Sequence, residues 1–281
     1  MEVIRARTAG FCMGVSLALK KLDRAIELEK QRRIVTLGPI IHNPQVLEAY
    51  AAKKVVCVRG VEDVRAGDCV VIRAHGIPRQ MEAALHRADV RLVDATCPKV
   101  KKAQLAIAEA TAHGAQLLLF GEEDHPEVRG LVSQAPYGYY VFDSMAALTA
   151  LPLKPGGQYV LASQTTQEKS IFDCIEACLR NSYPNMPVLA TICDATCERQ
   201  KEAMDIAGHV QAMVVVGGRD SGNTRRLVDV VKAQHIPTFH VEVVEELRGD
   251  QFALFSSVGL TAGASTPKSL IDAVYMFLLD A

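Results

Sequence analysis

The sequence predicts an α/β protein built from three similar domains, each with a small, mainly parallel sheet. Short apolar runs alternate with amphipathic helical segments along the whole chain. Cys12, Cys97 and Cys193 each precede a glycine that ends an apolar run, at spacings of 26, 24 and 24 positions. Helical crossovers between successive strands favour parallel pairing. The shared spacing therefore predicts three copies of one α/β unit.

In the first copy, a strand over 2–6 leads into a glycine-rich turn that carries Cys12. Apolar periodicity then predicts these elements: a helix over 16–31, a strand over 34–37, a helix over 45–52, and strands over 55–58 and 69–73. The last of these strands ends at His75-Gly76.

The second copy begins with Cys97 after a short strand, and Pro98 suits the first position of the helix that follows, where a missing N–H costs nothing. The pattern predicts helices over 99–112, 144–150 and 170–180, and strands over 90–93, 116–120, 139–142, 159–162 and 188–192.

The third copy follows Cys193. Its predicted elements are helices over 198–207, 225–233 and 244–247, strands over 213–216, 238–241 and 254–260, and a C-terminal helix. The repeat places domain boundaries at 13–96, 97–193 and 194–281, with a separate N-terminal strand over 1–12.

Composition excludes several classes of protein. The formal net charge of the 281 residues is -1 and there is no basic block, which argues against a nucleic-acid partner. The N-terminal residues lack the apolar core of a signal peptide, and no apolar run is long enough to span a membrane. We therefore expect a cytoplasmic protein, whose eight cysteines serve as ligands, catalytic groups or core residues rather than disulfides.

Equivalent placement in three copies distinguishes Cys12, Cys97 and Cys193 from ordinary buried cysteines. Each precedes a predicted helix, whose positive end stabilises an anion such as a thiolate. Three soft thiolates suit zinc or an iron–sulfur cluster. Since most clusters take four cysteines, three would leave one iron open to a substrate.

A rival metal site must be considered. Cys174 and Cys178, followed by Cys193 and Cys197, have spacings that resemble a four-cysteine zinc site. Against this, Cys174 and Cys178 share a helix face with apolar residues, which favours packing over metal binding.

Polar residues cluster where the predicted strands end. They are His42, His75, His125, Thr165, Thr166, Ser221, Asn223 and Ser265. Because ligands of open α/β sheets bind at the carboxyl ends of strands, these groups form a candidate anion site suited to phosphate. Glu127 is the only carboxylate at an equivalent position. The alternative is that the hydroxyls are helix caps and that Glu127 interacts with a helix dipole.

Several motifs, in order and over the whole chain, resemble the LytB family of 4-hydroxy-3-methylbut-2-enyl diphosphate reductases. They are Gly10-Phe11-Cys12, His42-Asn43, Ala74-His75-Gly76, Asp94-Ala95-Thr96-Cys97-Pro98, His125-Pro126-Glu127, Ser163-Gln164-Thr165-Thr166, Thr191-Ile192-Cys193, Ser221-x-Asn223 and Thr261-Ala262-Gly263-Ala264-Ser265.

The resemblance implies a trefoil of three α/β domains around a central [4Fe–4S] cluster held by Cys12, Cys97 and Cys193, with one iron open. It also implies that the first strand joins the last domain. The reaction would reductively remove an allylic hydroxyl to give isopentenyl and dimethylallyl diphosphate, the last step of the non-mevalonate isoprenoid pathway. A ferredoxin or flavodoxin would supply the electrons.

The resemblance also assigns roles to residues. Glu127 would be the proton source, with His125 and Thr165 in its network. The remaining polar residues would contact the diphosphate: His42, His75, His125, Thr165, Thr166, Ser221, Gly222, Asn223 and Ser265. Gly222 departs from members with a hydroxyl residue at that position.

Two functions of other classes remain open from the residues. A metal-bearing redox sensor would explain the thiols but not the hydroxyl-rich strand ends. A three-lobed small-molecule binding protein would explain the strand ends but not the three thiols.

Overall fold

The computed structural model describes residues 1–281. The chain forms two compact units: the first comprises residues 1–16, 41–50 and 194–281, and the second comprises 17–40 and 51–193. Each unit contains parallel sheet with helices packed against it.

Eleven strands form three sheets. They are β1 (Glu2–Arg5), β2 (Ile34–Leu37), β3 (Val56–Val58), β4 (Cys69–Ile72), β5 (Arg91–Asp94), β6 (Gln116–Phe120), β7 (Tyr139–Phe142), β8 (Tyr159–Ser163), β9 (Ala212–Val216), β10 (Thr238–Val241) and β11 (Ser257–Ala262). The helices are α1 (Met13–Leu28), α2 (Pro44–Ala52), α3 (Arg79–Arg87), α4 (Pro98–Ala110), α5 (Pro126–Val132), α6 (Met145–Thr149), α7 (Lys169–Ser182), α8 (Asp194–Ala207), α9 (Gly222–Lys232) and α10 (Lys268–Asp280).

The first unit is built on a four-stranded parallel sheet of order β1-β11-β9-β10. Because side chains alternate along a strand, Val214 and Val216 of β9 face one side and Met213 and Val215 face the other. Helix α10 packs on the first side, and helices α8 and α9 pack on the second. Strand β1 pairs with the last strand of the chain, β11, as the family resemblance implies.

The second unit contains two parallel sheets, of order β3-β2-β4-β5 and β7-β6-β8. In the three-stranded sheet, Leu118 and Phe120 of β6 pack with α7, whereas Leu117 and Leu119 pack with α4 and α5. Both faces of β6 are therefore buried, and its continuous apolar sequence is that of a central parallel strand.

The predicted strand over 188–192 does not form. Only one bridge, between Leu161 and Val188, pairs this segment with β8. Further along, the Thr191 hydroxyl accepts a hydrogen bond from Ser163 N (2.8 Å) and donates one to Ser163 O (2.7 Å). A side chain thus replaces the main-chain ladder, so the segment follows the sheet edge without becoming a strand.

Two other differences concern short elements. The predicted helix over 244–247 is a single 3₁₀ turn, Val244–Glu246. The Glu246 carboxylate accepts a hydrogen bond from Glu242 N and pairs with the Arg219 side chain. Helix α3 (Arg79–Arg87) lies in a segment for which the sequence pattern gave no element.

The predicted α/β class, with three parallel sheets, is confirmed. Each of the three expected domains contains one sheet, with β1 added to the last, although the domain boundaries stay a prediction. None of the helices is both long and apolar enough to cross a membrane.

Candidate active site

Three cysteines share one local arrangement. Cys12, Cys97 and Cys193 each lie immediately before a helix, namely α1, α4 and α8. In each case the cysteine N–H donates to the carbonyl of a residue just past the end of a strand. These bonds join Cys12 N to Ala264 O (3.1 Å), Cys97 N to Ala74 O (2.9 Å) and Cys193 N to Thr165 O (2.9 Å). The threefold repeat therefore extends from sequence spacing to backbone geometry.

The environments of these thiols suit a soft metal group. All three cysteines are half-buried. In the first turn of α1, Val15 N–H donates to Cys12 Sγ (3.5 Å), so a helix N-terminus is directed at that sulfur.

Glu127 is a buried carboxyl group with defined partners. Its side chain lies in the first turn of α5 and is only 2% exposed. Thr165 N donates to Glu127 Oε1 (2.7 Å), and Thr165 Oγ1 donates to Oε2 (3.0 Å). Burial raises the pKa of Glu127 to about 7, although both bonds from Thr165 act in the opposite direction. The group can thus hold or release a proton near neutral pH.

Thr165 connects this carboxyl group to a cysteine. Its N–H and hydroxyl contact Glu127, while its carbonyl accepts from Cys193 N. The Thr191 bonds to Ser163 fix the chain just before Cys193. The proton-holding group and one candidate ligand are therefore positioned by the same strand end, that of β8.

The second unit also brings two imidazoles together. His125 caps α5, where its Nδ1 accepts from Glu127 N (3.1 Å). Because Nδ1 is the acceptor, the ring hydrogen of a neutral His125 lies on Nε2. His75, which follows β4, packs edge-to-face against His125 with ring centroids 5.4 Å apart. His75, His125, Glu127 and Thr165 thus form one connected group. Thr166, the next residue along the chain, makes no hydrogen bond to this group.

The first unit brings together a second group of predicted site residues. The Ser265 hydroxyl donates to His42 O (3.0 Å) and lies 3.5 Å from the Ser221 hydroxyl. Ser221 caps α9 by accepting from Thr224 N (3.3 Å). This confirms the helix-cap alternative for Ser221, and it leaves the hydroxyl beside the open N-terminus of α9.

Asn223 and Gly222 occupy the first turn of α9. Asn223 is 8% exposed, and its Nδ2 has no hydrogen-bond partner within the protein. A buried amide N–H₂ without a partner is costly unless a ligand accepts from it. Together with the N–H groups of a helix start, it suits an anion.

Two glycines explain how these strand ends come so close. A Cβ at Gly263 would lie 2.0 Å from Thr224 Oγ1, and one at Gly217 would lie 2.8 Å from the same atom. Gly217 also has φ +148°, which other residues rarely adopt. Only glycine permits β9, β11 and α9 to approach in this way.

The rival zinc arrangement is not assembled. Cys174 and Cys178 are exposed on α7, so the expectation that they pack with the apolar face of this helix is wrong. Neither belongs to a group of three or more side chains close enough to share one metal ion. Apolar neighbours Phe172, Ile175 and Leu179 form the buried face of that helix.

The family model described as "LytB protein" matches residues 3–279. The chain belongs to the LytB family. Among curated LytB relatives, the 4-hydroxy-3-methylbut-2-enyl diphosphate reductases of Desulfovibrio desulfuricans and Nitratidesulfovibrio vulgaris are 59% and 58% identical to it. Both alignments cover 99% of this chain and 99% of the relative.

Solved LytB structures give the same result. The chain matches the "E-1-hydroxy-2-methyl-but-2-enyl-4-diphosphate reductase from Plasmodium falciparum" with a TM-score of 0.94 at 25% identity, covering 100% of this chain and 88% of that one. A second structure, titled as the (E)-4-hydroxy-3-methyl-but-2-enyl diphosphate reductase and "the Terminal Enzyme of the Non-Mevalonate Pathway", matches at 35% identity with a TM-score of 0.71 and complete coverage of both chains. LytB proteins use an iron–sulfur cluster, and three half-buried thiols at helix starts fit such a group.

Sequence reasoning assigned no role to three residues beside the predicted ones, namely buried Gln164 and Arg199 and half-buried Glu202. Gln164, fully buried, accepts from Glu122 N (3.1 Å) and fixes the chain before Thr165. Arg199 and Glu202, on α8, bind the main chain before Cys12. The spacing of Thr196, Arg199 and Ala203 at helical intervals was the available signal for a charge on a buried face.

Proposed function

We propose that this chain reductively dehydroxylates (E)-4-hydroxy-3-methylbut-2-enyl diphosphate to isopentenyl and dimethylallyl diphosphate. Membership of the LytB family over nearly the whole chain supports the substrate and the reaction class. The structural observation that carries the proposal is Glu127, a buried carboxyl group whose pKa is raised to about 7.

The chemistry explains why such a group is needed. Replacing an allylic C–O bond with C–H consumes two electrons and two protons and releases one water. The departing hydroxyl must be protonated, because hydroxide is a poor leaving group. A positioned acid typically contributes about 10² to 10⁴ in rate to such a step.

Cys12, Cys97 and Cys193 are proposed to hold a [4Fe–4S] cluster with one iron free of protein ligands. Their shared backbone anchoring and the softness of three thiolates support this assignment. When bound, the cluster supplies the electrons one at a time, together with a Lewis-acidic site for the substrate oxygen. The protein holds the thiols, excludes water and delivers the protons.

Glu127 is proposed to deliver the proton to the departing oxygen. Thr165 orients the carboxyl group through two hydrogen bonds, so its proton has a fixed direction. His125, whose Nδ1 is engaged by Glu127 N, presents Nε2–H to the substrate or exchanges protons with Glu127.

The diphosphate is proposed to bind the remaining polar groups. The partnerless Nδ2 of Asn223 and the N-terminus of α9 support this assignment in particular. The proposed contacts are His42, His75, His125, Thr165, Thr166, Ser221, Gly222, Asn223 and Ser265.

The division into domains 13–96, 97–193 and 194–281, with strand 1–12 added to the last, is likewise proposed from the repeat. A ferredoxin or flavodoxin is the proposed electron donor, and a cytoplasmic location stays a prediction.

An anaerobic experiment tests the function. The purified protein is analysed for iron and sulfide, then supplied with the substrate and chemically reduced methyl viologen, and the products are identified by mass spectrometry. We expect iron, sulfide and both five-carbon diphosphates. Iron without turnover would instead indicate a redox sensor, and substrate binding without iron would indicate a binding protein.

A further inference from the structure

The segment between β1 and α1 carries Cys12 and has no regular secondary structure. Within it, the only main-chain bonds to the sheet's strand ends are Ala6 N to Leu260 O (2.8 Å) and Cys12 N to Ala264 O (3.1 Å). Residues 7–10 must therefore be fixed by other groups if Cys12 is to keep one position.

Helix α8 supplies the acceptor for the N–H groups of this segment. The Glu202 carboxylate accepts from Arg7 N (2.9 Å) and from Thr8 N (2.8 Å), one with each oxygen. Burial alone would raise the pKa of Glu202, but the bonds from Thr8 and Arg7 outweigh it and hold the pKa below its usual value. The carboxylate is thus charged at neutral pH and binds two consecutive amides.

The same helix supplies donors for the carbonyl groups. Arg199, 4% exposed, donates through Nη1 to Thr8 O and to Ala262 O (2.8 Å), and through Nη2 to Gly10 O (3.0 Å). One guanidinium therefore joins two carbonyls of the Cys12 segment to the end of β11. A lysine could not reproduce this, because its single ammonium lacks the planar fork of donors.

We propose that Arg199 and Glu202 are positioning residues for Cys12. Glu202 binds the N–H groups and Arg199 binds the C=O groups of residues 7–10, and together they fix the backbone from which the Cys12 thiol projects. The consequence for the cluster rests on the proposed function, whereas the consequence for the segment does not. Since a thiolate ligand must return to the same iron after each dissociation, a fixed backbone slows loss of the cluster.

The test uses the anaerobically purified holoenzyme and four variants. Arg199→Gln and Arg199→Lys both remove the planar set of guanidinium donors, and Arg199→Lys keeps the positive charge. Glu202→Gln replaces the charged carboxylate acceptor with a neutral amide. Lys201→Gln is the matched control, because this exposed residue of α8 loses a charge but makes none of the hydrogen bonds to the segment.

Two measurements are made. Amide hydrogen exchange rates are compared between residues 8–12 and β9. The rate of iron release to a chelator measures how firmly the protein binds the cluster. We expect Arg199→Lys and Glu202→Gln to speed exchange in residues 8–12 by about tenfold, with β9 unchanged, and to speed iron release by a similar factor. Lys201→Gln should match the parent protein in both.

Unchanged exchange in residues 8–12 would overturn the proposal, and so would exchange that rises equally in β9, which indicates global loosening. If exchange is faster but the rate of iron release is unchanged, Arg199 and Glu202 do not stabilise the cluster. If Arg199→Gln does not fold, Arg199→Lys and Glu202→Gln decide. If the parent protein holds no iron, the proposed function fails, while exchange still tests whether α8 fixes the segment.

Discussion

Replacing Glu127 with glutamine removes a proton donor while keeping the size and shape of the side chain. In the parent protein Thr165 donates to both carboxyl oxygens. A glutamine Oε1 can still accept from Thr165 N, and its Nε2 can donate to the Thr165 hydroxyl. The fold and the Cys193 anchor should therefore persist, so that any loss of turnover reports on the proton.

The expected loss is about 10²- to 10⁴-fold in kcat, the usual contribution of a positioned general acid, with KM nearly unchanged. The pH dependence is the sharper test. Because the pKa of Glu127 is about 7, its protonated fraction, and hence turnover, should fall about tenfold per pH unit well above pH 7. The Glu127→Gln variant should lack this decline.

Stability should also depend on this carboxyl group. Its pKa is raised from 4.5 to about 7 in the folded protein, so the unfolded chain releases the proton first as pH rises. The stability is fully present below pH 4.5 and is lost as pH rises through about 7, by about 3 kcal/mol. Relative to Glu127→Gln, the parent protein should therefore become less stable over this range.

The assay is anaerobic turnover from pH 6 to 9 with a chemical reductant, accompanied by iron analysis and urea unfolding. Glu123→Gln is the matched control, because Glu123 is an exposed carboxylate on the loop that precedes α5. If Glu127→Gln turns over within a fewfold of the parent protein and keeps its alkaline decline, the proton comes from another group. Glu127 would then be a structural residue of the helix start.

Three further outcomes are expected. Cys193→Ser should lose the cluster by iron analysis, whereas Cys197→Ser should retain it, since only Cys193 shares the repeated spacing; the reverse result would contradict the alignment of the copies. Thr191→Val should lower the urea-unfolding free energy by about 1–3 kcal/mol, because buried Ser163 N–H loses its acceptor, and Thr191→Ser should not. Asn223→Ala should raise KM for the diphosphate by about tenfold with kcat little changed, and an equal loss in kcat would place its role elsewhere.

Local patterns determined much of the fold. Strands β6, β8 and β9 are continuous apolar runs, and such runs identify strands buried on both faces whatever their partners. Pro98 and the periodicity after it placed the start of α4. For the segment over 188–192 the same reasoning gave a wrong prediction. An apolar run does not reveal that a threonine hydroxyl will replace the main-chain hydrogen bonds of a strand.

For the site, the sequence by itself predicted which thiols are ligands, since a similar Cys-to-Gly spacing in three copies separates Cys12, Cys97 and Cys193 from the other thiols. It could not determine their environments. The raised pKa of Glu127 depends on the burial of its carboxyl group in the folded chain. The bonds of Arg199 to Gly10 and Ala262 span 189 and 63 positions. The sequence spacing shows only the features that the three copies share. Desolvation and long-range hydrogen bonds arise only when the chain has folded and packed.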